Sequence, residues 1–182
     1  MAIAKKKKRF FEVDMPIINK DTQLQAYELE DLEKRNIIYD LTRILKGKNL
    51  LMSFQVKVKD GQAIAYPNKL QLLPCYIQRM MRKGTNYVED SFTTKCKDNQ
   101  VRIKPFLITR RKVSRAIRKS LRNKAKEELI EYVKDKTTEE IFEDLMRNGL
   151  QRVLSLKLKK VYPLSLCEIR IFSIENPKKR GE

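Results

Sequence analysis

The chain has 182 residues, 41 Lys or Arg against 23 Asp or Glu, no His, no Trp and a formal net charge of +18. Without His the commonest general base and the commonest metal ligand are missing, so Ser–His and Cys–His nucleophile systems are excluded. The five glycines, at 47, 61, 84, 149 and 181, form neither a G-x-G-x-x-G turn nor a Walker A loop, and no nucleotide or other cofactor is expected.

A chain of this length supports one ample domain that buries roughly 70% of its unfolded surface. Cys75, Cys96 and Cys167 are far apart and contain no C-x-x-C pair. They are expected to be reduced, small buried hydrophobes rather than zinc ligands or a disulfide framework. No apolar run approaches the ~18 residues of a membrane span. Glu12, Asp14 and Pro16 follow the basic start and break any signal-peptide core, so a cytoplasmic protein is expected.

In chain order, residues 1–9 read as a disordered basic arm carrying Lys5, Lys6, Lys7, Lys8 and Arg9, because like charges do not pack without an anion. A single domain is expected over 10–174. Phe10-Phe11 starts an apolar stretch suited to a sheet, and residues 12–35 give no clear pattern. Asn36–Leu45 reads as a strand leading to a turn at Gly47-Lys48-Asn49. Residues 51–59 alternate, with Met52, Phe54, Val56 and Val58 on one face, the mark of a half-buried strand. Asp60-Gly61 is a two-residue hairpin turn. Ala63, Ile64 and Tyr66 begin the return strand, and Pro67 is expected to end it.

Leu72–Lys83 reads as a short helix, with Pro74 in its first turn and Gly84 just past its end. Strands follow at about 86–97 and 100–109. A long helix is expected from about Arg111 to Lys134, burying Val113, Ala116, Ile117 and Leu121. Its basic residues fall within an arc of about 100°. Thr137 or Thr138 caps a second helix, with Glu140 or Ile141 near its third position. A third helix runs from about Gly149 to Lys160, a strand spans 166–174, and residues 175–182 form a frayed tail. Strands first, helices later and a closing strand indicate an α+β fold: a β-barrel-like or curled antiparallel sheet with a long basic helix and two shorter helices in the C-terminal half.

From Val101 to Lys126 there are eleven Lys or Arg and no Asp or Glu. Clustered like charge costs stability, and a polyanion offsets that cost, which points to nucleic acid. The candidate RNA-binding residues on this stretch are Arg110, Arg111, Lys112, Arg115, Arg118, Lys119 and Arg122. Arg82 and Lys83 at the end of the short helix, and the arm Lys5–Arg9, join them. Most of the fourteen aromatic residues sit at core-phase positions. No stacking platform for single strands is evident, which favours contacts to phosphate and shape over base reading. The acids of 127–144 have helical spacing and read as a solvated face turned away from RNA.

Four segments resemble the archaeal and eukaryotic small-subunit ribosomal protein family S-three-a-e, also called S-one-e. They are Met81-Arg82-Lys83-Gly84-Thr85, Leu107-Ile108-Thr109-Arg110-Arg111-Lys112, Ala116-Ile117-Arg118-Lys119, and Val161-Tyr162-Pro163-Leu164 with Glu168-Ile169-Arg170. The resemblance implies a non-catalytic ribosomal protein of archaeal length. Its partners would be small-subunit ribosomal RNA, neighbouring ribosomal proteins and messenger RNA near the exit, on the platform of the subunit. Ser165-Leu166-Cys167 departs from the basic residues of that family. A free-standing, non-specific RNA chaperone is the alternative. An RNA-processing enzyme using carboxylates and Mg²⁺, and a membrane-surface role for the basic helix, are less well supported by the residues.

Overall fold

A computed structural model describes residues 7–45 and 47–175, so Lys5, Lys6 and most of the expected C-terminal tail lie outside the described residues. Among the described residues nine strands, mostly antiparallel, and four α-helices make a mixed α+β fold. The described residues fall into two compact units, one holding residues up to Tyr39 with Met52–Asn68, the other Asp40–Leu51 with Lys69 onward.

In the first unit, β1 (Arg9–Met15) pairs antiparallel with β2 (Lys20–Ala26) from Arg9↔Ala26 to Met15↔Lys20. Arg9, expected in the arm, therefore starts a strand. The other flank of β1 pairs parallel with β5 (Gln62–Leu72) at Val13↔Ala63 and Asp14↔Ile64. Strand β4 (Leu50–Lys59) lies beside β5 and β3 (Asn36–Asp40). Met52, Phe54 and Val56 are buried as their alternation predicts. Asp60 and Gly61 take φ of 51° and 77°, the paired positive values a two-residue hairpin needs.

Strand β3 stops at Asp40 rather than near Leu45, because the Asp40 carboxylate accepts hydrogen bonds from the Thr42 N–H at 2.8 Å and the Thr42 hydroxyl at 2.5 Å. That turn competes with continued extension. Strand β5 does not end at Pro67. Its ladder to β1 reaches Ile64 and its ladder to β9 (Leu164–Glu175) begins at Lys69. Pro67 falls between the two, where no pairing among the described residues on that flank calls for the N–H it lacks.

In the second unit β9 lies between the end of β5 and β8 (Gln100–Thr109), and β8 also pairs with β6 (Tyr87–Glu89) and β7 (Phe92–Lys95). The ladders leave an open sheet, not a closed barrel: among the described pairings β2 meets only β1, and β6 only β8. Val101 and Ile103 alternate with Arg102 and Lys104, and from Phe106 to Thr109 every residue is buried. Both faces of β8 are covered there.

Helix α1 spans only Pro74–Met80, since Leu72 belongs to β5 and Met81 is extended. Gly84, at φ 83°, serves a later turn and not the helix end. Helix α2 is Arg115–Lys134, starting later than the expected Arg111 because the Ser114 hydroxyl accepts the Ile117 N–H at 3.4 Å and caps it. Its buried stripe is Leu121, Ala125, Leu129 and Val133; Ala116 is exposed and Val113 and Ile117 half-buried. The stripe thus lies further along the helix than the sequence suggests, leaving its first turns as surface. Helix α3 (Thr138–Met146) carries the expected capping box between Thr137 and Glu140, and α4 is Gly149–Leu158. Phe142 of α3 meets Phe172 of β9 edge-on at 4.9 Å, a favourable aromatic geometry inside the core.

Candidate nucleic-acid interface

Thr109 closes β8 and is fully buried. Its N–H donates to the Asn86 carbonyl at 2.9 Å, and its hydroxyl accepts the Asn86 N–H at 3.0 Å. The one hydroxyl proton has the carbonyls of Asn86 at 3.0 Å and Arg111 at 2.8 Å within reach. The Asn86 side-chain oxygen accepts the Val113 N–H at 2.9 Å. This knot fixes the loop Arg110-Arg111-Lys112, which bends at Arg110 and Arg111, between β8 and α2. It also sets the start of β6 beside the start of α2.

The result is an open groove of about 440 Å³. Tyr87 and Val88 of β6 line one part; Arg115, Arg118, Lys119, Arg122 and Asn123 of α2 line the rest. Four cations converge there and no acid is among the lining residues. The first turn of α2 contains no acidic residue either, so nothing offsets the positive end of the helix dipole near Arg115 and Arg118, where an anion is the favoured neighbour. Arg118 is half-buried, and its Nε is buried with no hydrogen-bond partner among the described residues. Leaving such a donor unpaired is costly.

Of the expected residues, Arg115, Arg118, Lys119 and Arg122 share this groove. Arg110, Arg111 and Lys112 are exposed on the loop that precedes it. Arg82 and Lys83 are exposed in the turn between α1 and β6. Arg79, grouped with them by sequence, donates to Asn49 Oδ1 at 3.0 Å. Lys7, Lys8 and Arg9 belong to the first unit, where the Lys8 ammonium stands 5.6 Å from the centre of the Tyr27 ring.

One residue escaped the sequence reading. Tyr87 stacks on Phe106, with ring centres 6.1 Å apart and planes inclined by 25°, yet stays 56% exposed. The signal was present in strand alternation: Val88 is buried, so its neighbours Tyr87 and Glu89 point the other way. Glu89 does not add negative charge freely, because Arg170 binds both its carboxylate oxygens at 3.2 Å.

Elsewhere the acids of 127–144 are only partly a solvated face. Glu128 pairs with Lys157, and Asp144 pairs with Lys136 and accepts the Tyr132 hydroxyl at 2.8 Å. Burial disfavours the Asp144 carboxylate, but the hydrogen bonds from Lys136 and Tyr132 outweigh it and hold its pKa below the ordinary value. Among the described residues no group of three acids and cysteines is placed to hold a metal ion. Cys75 is exposed and Cys96 and Cys167 half-buried, so the expected full burial of the three free thiols is not found.

The model of the Ribosomal S3Ae family matches residues 4–177. "Small ribosomal subunit protein eS1" of Nanoarchaeum equitans is 27% identical over 178 residues, covering 93% of this chain and 90% of the relative. The protein of that name from Pyrobaculum arsenaticum is 26% identical over 151 residues, 80% of this chain and 69% of its own length. That from Halorubrum lacusprofundi is 26% identical over 140 residues, 75% of this chain and 64% of its own. With nearly its whole length matched, the chain belongs to the Ribosomal S3Ae family and is a structural ribosomal protein, not an enzyme.

Proposed function

We propose that the chain is built into the small ribosomal subunit, in the cytoplasm, and binds ribosomal RNA through the basic face of its second unit. The observation that carries this reading is the groove where Arg115, Arg118, Lys119 and Arg122 meet with no acid among them. Arginine offers phosphate two parallel donors, and three arginines with one lysine along the first two turns of a helix neutralise several phosphates at once. Arg110, Arg111 and Lys112 extend the contact along the strand-to-helix loop. Arg82 and Lys83 add to it, and Lys5–Arg9 supply separate phosphate contacts from the first unit. The acidic helical surface, with its internal ion pairs, is left for protein neighbours or solvent. The family resemblance supports a position on the platform, close to the messenger exit and in reach of messenger RNA.

Sucrose-gradient fractionation of native lysate tests the reading. Stoichiometric co-migration with small subunits that survives a high-salt wash is the expected result. A protein that stays at the top of the gradient, free of subunits, overturns it in favour of an independent RNA-binding protein.

A further inference from the structure

We infer that the groove between β6 and α2 seats an unpaired base of single-stranded RNA, stacked on Tyr87, with the adjoining phosphates on the arginines of α2. This rests on the RNA-binding reading above and goes further in naming the form of RNA and a residue that reads it.

Three features of the groove lead there. Tyr87 is backed by buried Phe106, which holds the ring in place while leaving it 56% exposed. A rigid, half-covered aromatic ring beside a basic channel is the arrangement that captures a splayed-out base. The paired bases of a duplex keep their faces inside the stack, so a duplex cannot use the ring. Second, Arg115, Arg118, Lys119 and Arg122 bring more positive charge than one carboxylate or one phosphate would need. The Arg118 Nε supplies a donor without an acceptor among the described residues. Third, Asn123 adds an uncharged amide to the same lining, a group able to give and accept hydrogen bonds at a base edge.

An acidic protein segment would satisfy the cations but has no use for the ring. The chain contains no Trp, which makes the ring directly observable. In the Tyr87→Trp variant the indole is the single such group in the protein. Its fluorescence is expected to be quenched by a twelve-nucleotide single-stranded oligoribonucleotide and unchanged by a blunt RNA duplex of equal charge. Tyr87→Ala should weaken single-strand binding roughly 5- to 100-fold and leave duplex binding within about twofold; Tyr87→Phe should bind as the parent does.

If Tyr87→Ala binds the single strand unchanged and the indole is not quenched, while Arg115→Glu with Arg122→Glu abolishes RNA binding, the stacking inference fails and the RNA-binding reading stands. If the charge reversals leave binding to both RNAs intact, the reading of this face fails as well. Quenching by an acidic peptide but not by RNA would assign the groove to a protein partner and overturn the inference. Far-ultraviolet circular dichroism of each variant separates these outcomes from a folding defect.

Discussion

Thr109 holds Asn86 through backbone and side chain together, with contacts of 2.9 and 3.0 Å, and the same hydroxyl lies 2.8 Å from the Arg111 carbonyl. A fully buried hydroxyl at the end of β8 thereby sets the path of the basic loop and the mouth of the groove. One of the four motif segments contains Thr109, and another ends at Thr85, next to Asn86.

Thr109→Val keeps the side-chain volume and removes the hydroxyl. It leaves the Asn86 N–H without its acceptor, at a cost of about 1–3 kcal/mol. For a chain of this size that lowers Tm by roughly 2–10 °C, read by calorimetry. Thr109→Ser should recover most of the loss. Equal loss in both variants would place the effect in packing and not in the hydroxyl.

The basic groove makes a prediction about salt. Arg115→Gln, Arg118→Gln and Arg122→Gln together should lower the slope of log K against log salt for single-stranded RNA by about 2. The fold should persist, since Arg115 and Arg122 are exposed. An unchanged slope in a titration from low to moderate salt would show that these side chains do not meet phosphate.

A second buried polar centre lies behind α4. Lys48 meets Glu168 and Asn148, each at 2.7 Å, with the ion-pair side chains 10% and 11% exposed. Removing one member strands the other charge, so Glu168→Leu is expected to destabilise by roughly 3 kcal/mol or more. The double variant Lys48→Met with Glu168→Leu should regain much of that in urea unfolding. If the double variant is worse than the single, no stranded charge was at fault.

Acid should act through Asp144. Its pKa in the fold lies below the ordinary 3.8, so its stabilisation is in place above that value and is lost as pH falls through the lower, folded one. Lys136 is raised above 10.5, its hydrogen bonds to Asp144 and Tyr132 outweighing burial. That part is present below pH 10.5 and lost as pH rises through the folded value. Asp144→Asn should cost about 1 kcal/mol at neutral pH, a modest figure because the pair is partly solvated. It should also flatten the fall in Tm below pH 4; an acid limb identical to the parent's would count against the pair.

The thiols should differ in reactivity. Burial, aided by the Glu168 carboxylate, pushes Cys167 up to about 12, which leaves few thiolates at pH 8. Cys75 is exposed near the start of α1. An aromatic disulfide reagent under native conditions is expected to label Cys75 first and Cys167 only on unfolding, as peptide mapping would show.

Much of the fold was legible in the sequence because local signals and burial agree there. Met52, Phe54 and Val56 alternate and are buried, Asp60-Gly61 turns, and Thr137 with Glu140 caps α3. The misses occur where distant contacts decide. β2 has no strong apolar pattern and exists through its ladder to β1. Pro67 stays in a strand because its flank changes partners there. Helix α2 starts at Arg115, capped by Ser114, after a loop that Thr109 and Asn86 hold by a tie across 23 residues that no local window contains. For the candidate interface, charge density pointed to the arginines. Alternation with Val88 turns Tyr87 outward, but its place in the groove depends on β6 lying beside α2, which no local pattern contains.

The most direct test of the account is to map ultraviolet RNA–protein cross-links in purified small subunits by mass spectrometry of the cross-linked peptides. Nucleotides attached to the segment from Arg110 to Arg122, together with Tyr87, are the predicted result. Subunits containing the protein but cross-linked only through other surfaces, with these peptides recovered unmodified, would contradict it.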